Sequence, residues 1–259
     1  MKGSGCFMSG SLFLCLKNNV KRLNTILFVI FFGLSSMILF IGAVIIKLLT
    51  CFFDRNLTIL HYYTQLWAAM YLKVVPSWKV TIKGTEKLNK NMPCIYISNH
   101  QSYFDIMAIS CLHIPFKWVA KLEVFKAPFI GWNMRLNNYI ELKRGNKKSI
   151  QQMIANSESA IDQGNSILFF PEGTRSKDGS LQRFMTGAFS LAQRKNLPIV
   201  PIVIKGTKNI LQKNGNHINF NCDISIEVLD TIPTAEYAGK RPEEIADKAH
   251  QLISRHIKS

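Results

Sequence analysis

The run from Leu23 to Ile46 constrains this chain more than any other stretch: about 24 residues without a charge, bounded by Lys21 and Arg22 before it and Lys47 after it. As a helix rising about 1.5 Å per residue, it exceeds the roughly 30 Å hydrocarbon core of a bilayer and is long enough to span one. A buried helix of a soluble core is the competing reading, and a secretory signal, with its shorter apolar stretch and small-residue cleavage site, fits poorly. Gly33, Ser35 and Ser36 interrupt the run midway, which leaves room for a tilted or re-entrant helix. A second apolar stretch, Leu57 to Leu72, carries His61, Tyr62, Tyr63, Trp67 and Tyr71. Rings with a polar edge suit the headgroup layer. Three segments are therefore expected: a basic N-terminal segment over 1–22, membrane-associated helices over 23–73, and an α/β domain over 74–259.

The remainder alternates strand and helix signals. Short apolar, β-branched runs at 79–83, 94–98, 116–120, 138–142, 166–170 and 198–204 read as strands, several of them closed by Gly, Pro or charged residues. Helical spacing appears over 147–163, with Gly164 as its stop, over 184–195 and over 242–257. Residues 125–136 predict short helices lining a pocket, with plain core as the equal alternative, and 218–229 alternates as one or two edge strands do. The pattern predicts a mixed, mostly parallel central sheet flanked by helices, preceded by a two-helix membrane unit.

Between the strand at 94–98 and the helix after it lie Asn99, His100, Gln101, Ser102, Tyr103, Phe104 and Asp105. Ser102 is a candidate N-cap, and two readings of Asp105 stand side by side. In one, Asp105 completes a capping box with Ser102 and His100 is a loop residue. In the other, the Asp105 carboxylate orients the His100 imidazole, whose second nitrogen takes a proton from a hydroxyl nucleophile.

The balance of 32 Lys and Arg against 16 Asp and Glu leaves a net charge of +16, which implies an anionic partner. The basic residues are spread out, with no zinc-finger spacing or arginine-rich tract, so no nucleic acid is expected. The six cysteines show no C-x-x-C pair or framework spacing and read as buried or idle thiols in a reducing compartment, and no metal site is expected.

Four blocks in order carry a family resemblance. They are Asn99-His100 with Asp105 five residues after the histidine; Tyr139 to Arg144; Phe170, Pro171, Glu172, Gly173, Thr174, Arg175 and Ser176; and Val200 to Ile204. Over about residues 75–210 the chain resembles the glycerolipid acyltransferases, in particular the bacterial lysophosphatidic acid acyltransferases. The resemblance implies transfer of an acyl group from acyl-CoA or acyl carrier protein to the sn-2 hydroxyl of lysophosphatidic acid, giving phosphatidic acid. It also implies a location at the bacterial inner membrane with the active site on the cytoplasmic side.

For that chemistry His100 is the expected base and Asp105 its orienting acid. Arg175 offers a fork of donors matched to phosphate oxygens. Gly173 allows close backbone approach, and Glu172 is placed to fix the arginine or meet a glycerol hydroxyl. The resemblance assigns Glu172, Gly173 and Arg175, with Arg144, to the acceptor's phosphate, and Lys121 resembles a phosphate-holding lysine. At Lys143 relatives often carry an acid, so the charge here is more positive. No G-x-S-x-G elbow is present, so direct attack is preferred over an acyl-enzyme, and no cofactor is expected beyond the acyl donor itself. Acylation of glycerol-3-phosphate or another lysophospholipid is the alternative, and a non-catalytic lipid-binding protein is the remote one.

Overall fold

The computed structural model describes residues 7–176, 179–211, 215 and 217–258, with side chains from residue 19 onward. Helix α1 (Phe7–Thr50) takes in the whole apolar run and continues without a break through Arg22 at one end and Lys47 at the other. Ser35 and Ser36 do not interrupt it. Ser35 Oγ donates to Phe31 O within the helix, and both hydroxyls reach Tyr71 Oη, at 2.9 and 3.0 Å. Their polar groups are thus satisfied by the helix itself and its neighbour.

A turn closed by Asp54 leads to α2 (Thr58–Lys73), whose first amides, Thr58 N and Ile59 N, each donate to the Asp54 carboxylate at 2.8 Å. Here the membrane expectation divides. Among the described residues α1 alone is long and apolar enough to cross a membrane, whereas α2 buries Leu60, His61, Gln65, Trp67, Ala69, Tyr71 and Leu72. The aromatic residues assigned to a headgroup layer are therefore in part core residues. Trp67 Nε1 donates to Tyr71 Oη, and His61 and Gln65 bond to Ile114 O on the α/β domain. Partners of this kind require protein on the other side of α2, not lipid.

The domain continues with β1 (Trp78–Lys83), β2 (Ile95–Ser98), α3 (Phe104–Ser110), β3 (Lys117–Lys121), α4 (Ile130–Leu136), β4 (Ile140–Leu142), α5 (Lys147–Asp162), β5 (Ile167–Phe169), α6 (Gly187–Lys195), β6 (Ile199–Lys205), β7 (Cys222–Val228) and α7 (Pro242–Lys258). The strands form one sheet in the order β1-β7-β6-β2-β5-β3-β4, parallel at every pair except β6–β7. The mixed, mostly parallel sheet expected from the alternation is what forms. One expectation changes: 218–229 yields a single strand that lies between β1 and β6, not at an edge. Its alternation arises because Cys222, Ile224, Ile226 and Val228 face a covered side while Asp223, Ser225 and Glu227 face a less covered one.

Strand residues feed two cores, one on each face. Tyr96, Leu168, Val200 and Ile202 pack with α1, α2 and α3, while Ile95, Ile97, Ile167, Phe169 and Ile199 pack with α5, α6 and α7. Near-continuous burial along β2, β5 and β6 explains why these strands read as unbroken apolar runs. The successive strand ends at one edge of the parallel sheet then form a platform. In open α/β sheets such carboxyl ends border the ligand crevice.

Candidate active site

His100 follows β2 directly, and its Nδ1 lies 2.8 Å from Asp105 Oδ2. The same oxygen accepts the backbone N–H of Gln101 at 2.6 Å and of Ser102 at 2.8 Å, while Thr207 Oγ1 donates to Oδ1 at 2.5 Å. Asp105 is fully buried. The imidazole contact is the expected orienting pair; the N-cap of α3 is Tyr103 with no side-chain cap, so Ser102 lies one residue before the expected position, although its N–H is still held by the Asp105 carboxylate. With both carboxylate oxygens already accepting hydrogen bonds, Nδ1 is the imidazole donor, and the lone pair on Nε2 is left for another proton. The His100 side chain is 14% exposed.

Asn99 secures the strand end beneath this pair. Its side chain donates to Ile204 O and accepts from Ile204 N, both at 2.8 Å, extending the β2–β6 ladder by one residue. Thr207 follows β6, so the same extension places its hydroxyl on Asp105. The Phe170 ring stacks on the imidazole at 4.1 Å between centroids and 16° between planes. Sequence reasoning did not single out Asn99, Thr207 or Phe170 as functional. Their position at the ends of adjacent apolar strands is the signal that could have found them.

After β5 the chain turns through Pro171, Glu172 and Gly173. Gly173 has φ of +66°, and a Cβ there would lie 2.7 Å from Met185 Sδ, so the turn depends on glycine. Its N–H donates to Phe170 O at 2.9 Å and so serves the turn itself. Glu172 joins two loops: Oε1 accepts the His100 N–H at 2.6 Å and Oε2 the Gln182 N–H at 2.9 Å. Burial pushes its carboxyl up to about 7, with the nearby Asp105 charge acting the same way and the two amide hydrogen bonds opposing. Ser176 N donates to His100 O at 2.9 Å, which ties the far end of the turn to the histidine. The Arg175 guanidinium lies over the Tyr103 ring at 3.7 Å, a cation–π contact that holds it beside the His100 loop.

Lys121 ends β3, and Arg144 follows β4. The order β2-β5-β3-β4 thus sets His100, then Glu172, Gly173 and Arg175, then Lys121, then Arg144 along one edge of the sheet. At about 4.8 Å per strand, Arg144 stands roughly 14 Å along the sheet from His100. The turn at 171–176 and His100 are in direct contact; Lys121 and Arg144 are exposed at the far end of the row. Among the described residues no group of His, Cys, Asp and Glu is arranged to hold a metal.

A sequence profile of the family described as Acyltransferase matches residues 79–205, which carry all of these positions except Thr207. A chloroplastic 1-acyl-sn-glycerol-3-phosphate acyltransferase of Brassica napus is 32% identical over 236 residues, covering 90% of this chain and 67% of that relative. One from Chlamydomonas reinhardtii is 31% identical over 237 residues, 91% of this chain and 70% of its own length. A chloroplastic relative from Arabidopsis thaliana is 35% identical over 193 residues, 74% of this chain but 54% of the relative, about half its length. Among solved structures the fold is similar to the crystal structure of the 1-acyl-sn-glycerophosphate acyltransferase PlsC from Thermotoga maritima. That match has a TM-score of 0.73 with 20% identity and covers 92% of this chain and 96% of the other. Identity above 30% across two thirds or more of two such relatives, on a site of this geometry, makes the chain a member of the glycerolipid acyltransferase family, an O-acyltransferase.

Proposed function

We propose that this chain moves a fatty acyl group from an acyl thioester, acyl-CoA or acyl carrier protein, to the sn-2 hydroxyl of lysophosphatidic acid, giving phosphatidic acid. The observation that carries this reading is the His100–Asp105 pair, with Nε2 open, in direct contact with the arginine-bearing turn at 171–176. In the reaction the acceptor hydroxyl attacks the thioester carbonyl while Nε2 takes its proton. The tetrahedral intermediate then breaks its C–S bond, and the imidazolium returns the proton to the departing thiolate. Asp105 keeps the ring in the required tautomer. Arg175, with Lys121 and Arg144 further along the strand ends, balances the acceptor's phosphate. Glu172 acts through the loops it joins, holding His100 against the arginine turn.

The acceptor and product are both lipids, and α1 supports delivery from a membrane. A stripe containing Phe28, Ser36 and Ala43 is buried against the protein, yet Leu27, Leu34, Ile41 and Leu48 point outward. A helix apolar on both faces suits protein on one side and hydrocarbon on the other. Contacts run from Phe28 on Trp78 to Lys47 on Leu136 O, so α1 is docked lengthwise on the domain. A perpendicular crossing would draw the charged domain into the bilayer. This geometry favours a helix lying along one leaflet, and we place it on the cytoplasmic face of a bacterial inner membrane.

The test measures free thiol released by the purified full chain in lipid–detergent micelles, with each donor type and a panel of acceptors. Thiol release with lysophosphatidic acid and mass-spectrometric phosphatidic acid are expected. Faster turnover with glycerol-3-phosphate than with lysophosphatidic acid would overturn the choice of acceptor.

A further inference from the structure

An open cleft of about 580 Å³ runs along β4, between α4 and α5, at the opposite end of the row of strands from His100. Its walls include Arg135, Asn138, Lys143, Lys148, Ser149 and Gln152. Glu141 also lines it, and its carboxylate is held by Arg135 at 3.2 Å, so Lys143 and Lys148 set the net charge. Arg144 is not among the lining residues and instead interacts with the charge of Glu123. Past the end of β4, Lys143 lines the cleft and Arg144 does not, so only one of these two adjacent cations belongs to it.

The sequence around this cleft runs against local preference. The first turn of α5 carries Lys147 and Lys148 and no acid, although the positive end of a helix favours the opposite sign. Asn146 caps that helix by accepting from Ser149 N, so the turn is ordered with its cations outward. A volume of this size suits a small molecule rather than the convex face of a protein. The walls combine ammonium groups, which match phosphates, with the side-chain amides of Asn138 and of Gln152 and Asn156, the last two bonded to each other at 2.8 Å and keeping further donor and acceptor capacity to match a base and a ribose.

We propose that this cleft holds the adenosine 3′,5′-bisphosphate end of a coenzyme A thioester. The proposal rests on the acyl-thioester reading above and chooses the nucleotide donor over acyl carrier protein. Leu122, the residue after β3, lines the cleft beside Lys121 at the strand end. Roughly 14 Å of sheet separates β4 from β2, and a pantetheine arm, about as long as five extended residues, reaches ~16 Å. The thioester carbonyl then arrives at His100 while the phosphates remain on Lys143 and Lys148, leaving Arg144 and Arg175 for the acceptor.

Calorimetry of the full chain with adenosine 3′,5′-bisphosphate, paired with steady-state kinetics of a Lys143→Glu/Lys148→Glu variant, tests this. Both side chains are exposed, so the variant is expected to keep the wild-type melting temperature. Its KM for acyl-CoA is expected to rise about tenfold or more, from the loss of charge-assisted contacts to phosphate, with KM for lysophosphatidic acid unchanged. Competition by the bisphosphate against acyl-CoA, lost in the variant, supports the assignment. An unchanged KM for acyl-CoA, competition against the lipid acceptor instead, or equally tight binding of glycerol 3-phosphate overturns it. Turnover with acyl carrier protein alone, without bisphosphate binding, does so as well. Should the wild-type protein release no thiol, the functional reading fails, and calorimetry decides the cleft separately: bisphosphate binding abolished by the two substitutions supports it, and no binding rejects it.

Discussion

Two histidines in this molecule are each held by hydrogen bonds, and they differ in what is left over. His61, on α2, has both nitrogens engaged inside the protein: Nδ1 lies 2.7 Å from Tyr139 Oη and Nε2 3.0 Å from Ile114 O. It is 2% exposed, and burial lowers its pKa from the usual value to about 3, so the ring stays neutral at any ordinary pH. His100 commits one nitrogen to a buried carboxylate, and its side chain keeps 14% of its surface exposed. A ring with no unused lone pair fastens two parts of the fold together. A ring with one oriented lone pair can move a proton.

Replacement of either ring should separate these roles. His100→Ala is expected to lower thiol release by about 10²–10⁴-fold, the range for loss of a general base, with the melting temperature little changed. Thiol release within twofold of wild type would remove His100 from the mechanism. His61→Ala is expected to do the reverse, costing about 3 kcal/mol in chemical denaturation, because Tyr139 Oη and Ile114 O lose a buried partner. Its turnover per folded molecule below the unfolding transition should stay near wild type.

The comparison sharpens with pH. His61 is expected to weaken the fold as pH falls from about 6.5 towards 3, since only the unfolded chain takes up its proton across that window. Glu172 acts in the other sense. Its folded carboxyl is raised to about 7, so the folded state holds the proton more tightly, and stability contributed by this group is lost as pH rises from about 4.5 through 7. Glu172→Gln should therefore flatten the alkaline side of the stability profile, read as melting temperature against pH, and His61→Ala the acid side. An unchanged slope between pH 5 and 7 in the Gln variant would contradict the assigned cause.

The smallest expected effect concerns Tyr103. Removing the ring beneath Arg175 in Tyr103→Ala should raise KM for the phosphorylated acceptor severalfold, from a cation–π contact worth about 1 kcal/mol, while kcat and KM for the donor stay close to wild type. A fall in kcat alone would point to a role nearer the chemistry.

Several of these positions could be read before folding was known. His100 and Asp105 stood out in the block that follows the strand at 94–98, and Arg175 in the block that follows the strand at 166–170, both carried by the ordered family resemblance. Thr207 and Asn99 did not, since their roles come from β6 lying beside β2, a pairing between segments about a hundred residues apart. His61 was misplaced for a similar reason. Its stretch has the composition of a membrane-facing helix, and only the packing of α2 between α1 and the sheet shows that Ile114 and Tyr139 are its partners.

Local sequence determined the elements: the long apolar helix, the buried parallel strands and the turn at Gly173 follow from chain length, hydrophobic period and backbone freedom, each acting over a few residues. Tertiary structure decided the strand order, and with it which strand ends meet. That order depends on long-range hydrogen bonding and on filling two cores at once, neither of which is encoded in a local period. The one row that carries His100, Arg175, Lys121 and Arg144, and the cleft beyond β4, exist only at that level.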